Sequence, residues 1–505
     1  MDVKVKRFHI LQIRTNKSLI RICNEFLTAL WIGEFKKMSN YKKLGKDVLL
    51  MTIGSFGSKL LTFVFVGFYT GMLSTEEYGT ADLISTTTML LFPFFSAIIC
   101  EAMMRFALEK ENDPKQVWSI GIKVTIIGSA VFMVLSPIVF LTPLKDYYIF
   151  VVLYYITYAF NHAVSYFVRG INKTKIFALG GIVQTFAVIV SSLTLLLWLK
   201  LGILGYLISH VIGSVVSTVY MYLFAKVHKY GFTWKNTDKA MQKQMLKYSI
   251  PMIPNSVSWW LSDTVSKFFL TMFISTSATG LFSVANKIPH IMTTMTGIFG
   301  RAWKINAVDD FGSEKSKKFY EDCFSKMAAM LLLFISVMLL MNKPLAQILF
   351  KKEFFIARQF VPILLFSTIM HAYSEFLGSI YTSSYKTNFL IVSTSIGAAI
   401  NVLMNIILIP RVGIMGAAIS VATAQTVICI SRLIHSRSIL KLKYHWQRDG
   451  ICYFIIATQI FVAIKEFSFA YIYSAAAVVL IAIVLHRELK GMFRMVANGL
   501  IRKKR

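Results

Sequence analysis

The chain has 505 residues, 56% hydrophobic and only 15% charged, where an ordinary soluble domain carries about a quarter charged residues. With a mean hydropathy of +0.62, this excludes a soluble globular enzyme and points to a chain that is mostly membrane. The net charge of +30 sits in alternate loops, the pattern of an orientation signal and not of a nucleic-acid face.

Residues 1–46 hold eleven Lys/Arg and no uninterrupted apolar core, so no cleavable signal peptide is expected. Ser18–Phe35 (SLIRICNEFLTALWIGEF) reads as an interfacial amphipathic helix or as part of a basic tail, and Met38 is an alternative start. Fourteen apolar stretches follow, at roughly 48–71, 81–104, 118–140, 147–168, 177–199, 203–224, 249–273, 281–303, 323–341, 360–381, 388–409, 413–431, 450–465 and 469–486. Each is long enough, or nearly so, for a crossing helix of about 20 residues. The last two are the shortest, and a thirteen-span reading would move the C-terminus to the other face. With the N-terminus inside, 41 Lys/Arg fall in inner loops and tails and eight in outer loops. That asymmetry predicts a multi-pass protein of the cytoplasmic membrane with both termini cytoplasmic.

The chain repeats itself. Leu201–Ser209 (LGILGYLIS) and Val412–Ser420 (VGIMGAAIS) lie 211 residues apart. Each opens the second of two closely linked spans and follows one basic residue, Lys200 or Arg411. Upstream, Lys173–Thr174 and Lys386–Thr387 precede the partner spans. A period of six spans makes the halves parallel repeats about an axis along the membrane normal. The predicted fold class is therefore an all-α polytopic membrane protein of about fourteen transmembrane helices. Its parts are a basic segment 1–46, a six-helix lobe 47–225, a linker 226–247, a second six-helix lobe 248–435, and two further helices with a basic tail, 436–505.

Ionisable groups inside spans are the candidate functional residues, because each is costly in lipid and faces a cavity or a partner. Lys59 and Lys267 read as lying at matching depths in spans 1 and 7, and with Lys287 and His290 of span 8 they are candidate cavity cations. Glu101 and Arg105, one turn apart, read as an internal ion pair. His371 and Glu375, one turn apart in span 10, are a candidate proton-coupling pair. Lys123 and Arg301 read as snorkelling, and His162 and His210 as core residues. Pro251 and Pro254 make the start of span 7 either a bending point or a simple kink. The five cysteines are scattered without metal-ligand spacing, and Cys100, Cys429 and Cys452 read as core residues. No nucleotide-binding loop of Walker type and no metal cluster is visible, and the outer loops of about 4–18 residues leave no room for a catalytic domain. No enzyme activity, cofactor, metal or nucleic-acid partner is expected.

Several motifs occur in order at matching spans. They are Leu73–Gly79 (LSTEEYG), Tyr248–Pro254 (YSIPMIP) with Asn255 and Trp259–Trp260, and Gly280–Ile288 (GLFSVANKI). Ala302–Trp303 follows, then Asn401, Asn405, Pro410 and the Gly413–Gly416 pair. In these places, from about Asp47 to Gln425, the chain resembles polysaccharide (oligosaccharide-lipid) flippases of the multidrug/oligosaccharidyl-lipid/polysaccharide (MOP) exporter superfamily. The resemblance implies that a short oligosaccharide on a polyprenyl pyrophosphate is turned from the inner to the outer leaflet for export of a cell-surface polysaccharide. It implies alternating access through a cationic central cavity, with the lipid tail left in the bilayer. The implied partners are the bilayer, the lipid-linked oligosaccharide, and a polysaccharide polymerase and glycosyltransferases of the same pathway. A lipid II flippase or a cation-coupled multidrug exporter of the same superfamily is the alternative; the exporter should show acidic intramembrane groups, and the balance here is basic. Relatives often carry Asp-Arg in mid-span 7. Here that place reads Ser266–Lys267, with Asp263 three residues earlier, which leaves open whether Asp263 and Lys267 act as a pair.

Overall fold

The computed structural model describes residues 59–491 apart from Lys110, Asn236, 307–313, Tyr385 and Thr387. Ser18–Phe35, Met38 and the tail from residue 492 lie outside the described residues.

The described chain is helical, with no strand among the described residues. Helix α1 is Lys59–Met72. Helix α2, Thr75–Ser96, starts at Ser74, whose side chain and that of Glu77 form a reciprocal capping box. A single span over 81–104 is not what forms. Helix α2 stops at Ala97 and Ile98, both left-handed, and α3 (Ile99–Leu108) leaves at 61°. Pro93 inside α2 removes a backbone donor. The Ser96 hydroxyl meets the bend by donating to the Phe92 carbonyl and accepting from the Ile98 N–H.

Next come α4 (Pro114–Leu135), α5 (Tyr148–Gly170), α6 (Thr174–Ser192) and α7 (Gly202–Phe224). A short amphipathic helix, α8 (Lys239–Ser249), leads into span 7. That span is divided into α9 (Ile253–Asp263) and α10 (Val265–Phe273). Pro254 falls in the first turn of α9, where a missing N–H costs nothing, so the prolines mark a helix start. The break lies instead at Thr264. Two carbonyls near it find a donor on another helix, Asn401 Nδ2, at 3.1 Å for Leu261 O and 3.0 Å for Ser262 O, and Asn405 Nδ2 donates to the Ser266 hydroxyl at 3.0 Å.

The remaining helices are α11 (Thr276–Ala285), α12 (Lys287–Asn306), α13 (Glu314–Leu340), α14 (Asn342–Leu349), α15 (Val361–Ser383), α16 (Asn388–Val412), α17 (Ile414–Ser436), α18 (Trp446–Lys465) and α19 (Ala470–Val484). Among the described residues, seven helices are individually long and apolar enough to cross a bilayer, or eight with α2–α3 counted as one bent span. Spans 7 and 8 are each made of two shorter helices, and α5, 23 residues long, is rich in tyrosine. The architecture accords with about fourteen membrane helices.

The repeat is visible in the backbone. Gly202 and Gly413, 211 residues apart, both take positive φ at the tips of the α6–α7 and α16–α17 hairpins. Three residues on, a Cβ at Gly205 or Gly416 would press on the backbone of the partner helix of its hairpin. Cores divide similarly. Two clusters draw on α2–α8, and a larger one on α10–α19 with part of α1, Tyr78 of α2 and Leu196. Helices α18 and α19 are docked on α13; Gln459 and Ser336 exchange bonds of 2.8 and 2.9 Å. Cys100, Cys429 and Cys452 are buried free thiols, as expected.

Candidate functional site

The two sets of helices meet where α2 crosses α11. The crossing needs glycine on both sides. A Cβ on Gly79 would run into the Thr276 carbonyl oxygen, and one on Gly280 into that of Thr75. Ser74 and Ser275 cap the two helices in the same way, five residues ahead of each glycine. At the same end Thr70 Oγ1 donates to Leu349 O at 2.7 Å, Thr75 Oγ1 to Glu353 at 3.3 Å, and Ile203 N to Glu77 at 3.2 Å. Arg358 and Glu466 close the rim at 2.7 Å. Most of these residues lie in loops predicted as outer, and their bonds tie that end of the structure together.

Beneath the crossing lies the charged centre. Asp82, one turn past Gly79 on α2, binds Lys267 Nζ of α10 at 2.6 Å. Ser283 of α11 donates to the same carboxylate oxygen at 2.7 Å. Lys287, at the start of α12, adds its field to Asp82 and lies 6.0 Å over the Tyr78 ring. His290, one turn further on, is in the combined field of Lys287, Lys267 and Lys59. Lys267 and Lys287 are thus brought together around an acid that the sequence reading did not single out, with His290 and Lys59 in the adjoining cavity. Lys267 pairs with Asp82 across the two sets of helices; Asp263 lies on the other side of the Thr264 break. Lys59 and Lys267 are not depth mates. Lys59 lies 15 residues before its cap Ser74 and Lys267 only 8 before Ser275, about two helical turns apart in depth.

Two cavities share this centre. The first, about 240 Å³, lies between α1 and α12. It joins Lys59, Lys287 and His290 to an apolar wall of Leu60, Phe63 and Ile291. The second, about 270 Å³, lies among α1, α2, α5, α6 and α7 and includes Asp82, Tyr154, Gln184 and His210. Thr62, Val66 and Lys287 line both. His210, expected in the core, therefore faces a cavity; its Nδ1 is held at 3.0 Å from the Tyr206 carbonyl.

Other candidates fall elsewhere. Arg105 pairs with Glu109 at 3.3 Å instead of with Glu101. Glu101 is hydrogen-bonded to Tyr166 of α5, in the field of Arg169. The expected Glu101–Arg105 pair is not formed, because α3 ends at Leu108 and its last turn lets Arg105 reach outward. His371 and Glu375 share a face of α15. His371 turns to Gln425 at 3.4 Å and to the Trp259 ring, while Glu375 lies in the field of Arg432. Arg432 itself is buried, bonding Ser374 O, Ser393 Oγ and Thr394 Oγ1 at 2.9 Å each. Lys123 reaches Thr237 at 3.3 Å. Among the described residues no His/Cys/Asp/Glu group has metal-holding geometry.

Comparison with known proteins agrees with this architecture. Among curated proteins none matches the chain. Among solved structures, the lipid II flippase MurJ in an inward closed conformation is similar at TM-score 0.64 and 12% identity, covering 87% of this chain and 99% of that one. An inward-facing multidrug resistance MATE transporter of the MOP superfamily is similar at TM-score 0.60 and 13% identity, covering 78% and 95%. A MOP transporter from Pyrococcus furiosus, described as having a binding pocket of reverse polarity, is similar at TM-score 0.51 and 15% identity, covering 80% and 95%. Residues 44–303, just over half of the chain, match the family described as polysaccharide biosynthesis protein. The chain belongs to that family of polysaccharide biosynthesis proteins and has the multi-pass helical fold of the MOP superfamily of transporters.

Proposed function

We propose that this protein flips a polyprenyl-pyrophosphate-linked oligosaccharide across the cytoplasmic membrane, with the cations of the central site holding the pyrophosphate. One observation carries the reading. Lys59, Lys287 and His290 line one cavity together with the apolar Leu60, Phe63 and Ile291, and Lys287 also lines a second, more polar cavity. A diphosphate carries its charge between a lipid and a sugar. A cationic junction between an apolar and a polar space suits that order of groups, and cations lower the cost of taking the anion out of water. A tail leaving between α1 and α12, beside the apolar side chains of the first cavity, would let the lipid stay in the bilayer. On the expectation of two cytoplasmic termini, the end tied together around the α2–α11 crossing is the outer one. Rocking one repeat against the other about that crossing would expose the site outward. No nucleotide-binding motif is present in the sequence, so turnover draws on a gradient, the membrane potential or consumption of the product.

Reconstitution tests this. In liposomes loaded with a labelled polyprenyl diphosphate oligosaccharide, Lys287→Ala should lower the initial flipping rate by at least about tenfold, the loss of roughly one charge contact. Lys287→Arg keeps the charge and should retain part of the rate. Normal flipping by Lys287→Ala would sink the proposal, and loss of folded protein instead of rate would give Lys287 a structural role.

A further inference from the structure

The second cavity shares Lys287 with the first, and the rest of its wall has a different chemistry. We infer that it is a subsite for the first sugar ring, the one bonded directly to the diphosphate; this rests on the flippase reading above. Its volume, about 270 Å³, falls below the roughly 300–1,000 Å³ of pockets for drug-sized ligands, so it takes one ring and not a whole oligosaccharide. Its wall is both aromatic and polar. Tyr69 and Tyr206 meet edge to face at 4.9 Å between centroids, and Tyr78 lies 6.0 Å from Tyr206. Aromatic surface of this kind suits the C–H faces of a pyranose.

The polar groups are mostly acceptors for hydroxyls. His210 Nδ1 is engaged by the Tyr206 carbonyl, which puts the proton of the neutral ring on Nδ1 and leaves Nε2 as an acceptor. Gln184 Nε2 leans on Ser214 Oγ at 3.4 Å, leaving its Oε1 for the cavity. Tyr154 is tied only at 3.4 Å, to Ser85. Asp82, the acid in this wall, is already neutralised by Lys267. A space with aromatic faces, several neutral acceptors and a compensated charge fits a neutral polyhydroxyl ring better than an anion or a hydrocarbon. Its position fits too. Lys287 lines both cavities, so a diphosphate held there places the next group in the chain inside the second one.

The test separates the sugar from the diphosphate. Equilibrium binding to the purified full chain is measured for farnesyl diphosphate and for its glucosyl, galactosyl and N-acetylglucosaminyl derivatives. At least one derivative should bind the parent about tenfold tighter than farnesyl diphosphate, the worth of one or two good hydrogen bonds. Gln184→Leu and, separately, Tyr154→Phe should cut that advantage by about fivefold or more and leave farnesyl diphosphate binding unchanged. The subsite is overturned if no derivative gains over farnesyl diphosphate, or if both variants weaken all probes equally. A parent that binds a derivative but not farnesyl diphosphate would keep the subsite and remove the diphosphate reading. A parent that binds none removes both.

Discussion

Asp82→Asn is the sharpest test of the charged centre. Asp82 and Lys267 are 2.6 Å apart, with side chains only 16% and 17% exposed. The acid is thus the anion that the cationic cluster already holds, and a substrate diphosphate has to compete with it. Coupling energies of about 1.5–7 kcal/mol are found for close charge pairs. The low end applies here, because Asp82 borders a cavity, so roughly 1.5–3 kcal/mol of attraction is spent on Asp82. Asparagine keeps the size and still accepts from Ser283, but it releases Lys267. Asp82→Asn should therefore bind inorganic pyrophosphate and farnesyl diphosphate about ten- to a hundredfold more tightly than the parent. Titration of the detergent-purified protein at fixed ionic strength measures this, and the gain should shrink as salt rises. Unchanged or weaker binding by a monodisperse, folded variant would refute the competition and leave Asp82 a purely structural tie.

Gly280→Ala should block the α2–α11 crossing, since its Cβ meets the Thr75 backbone. Overpacking of about 1–3 kcal/mol should shift a Ser277→Cys reporter, in a background lacking other cysteines, to faster labelling by a membrane-impermeant thiol reagent; equal labelling would refute the gate. Arg432→Leu removes hydrogen bonds that tie α15, α16 and α17, and should destabilise the folded protein by about 3 kcal/mol in thermal unfolding; an unchanged midpoint would show that the buried guanidinium contributes nothing net. For topology, a reporter active only in the cytoplasm should give signal after Arg505 and none in the Asn342–Arg358 loop, and the reverse pattern would overturn the orientation.

The hairpins and the cations were legible in the sequence because their signals are local. Gly202 and Gly413 mark turns that only a residue free to take positive φ makes cheaply, and a lysine in an apolar run announces its own cost. What escaped depends on distant partners. Asp82 reads as a boundary residue at the start of span 2, and its partner Lys267 lies far along the chain. The bend at Ala97–Ile98 and the break at Thr264 carry no glycine, and the groups that make them tolerable are Ser96 in the first case and Asn401 and Asn405 in the second. Glu101 and Arg105 have ideal i, i+4 spacing, but spacing cannot say that Tyr166 of α5 offers Glu101 another partner.

The duplicated α2 and α11 show how such a centre is built. Counted from their caps, Asp82 and Ser283 occupy equivalent positions, as do Thr86 and Lys287. The two copies cross through equivalent glycines, so a residue shared by both would face its own twin near the axis. Two acids or two lysines there would repel. Instead the acid is in the first copy and the lysine in the second, and the hydroxyls Ser283 and Thr86 fill the remaining places. Ser283 supports Asp82, and the Thr86 carbonyl accepts from Trp260 Nε1 of α9 at 3.2 Å. At the equivalent position the contact between the copies is a hydrogen bond from Ser283 to Asp82, and the ion pair of that acid is made outside the copies, by Lys267 of α10. On the flippase reading, Lys267 cannot hold Asp82 and a diphosphate with full strength at once. Ligand occupancy and closure between the halves are then linked equilibria, and each must bias the other by the same free energy.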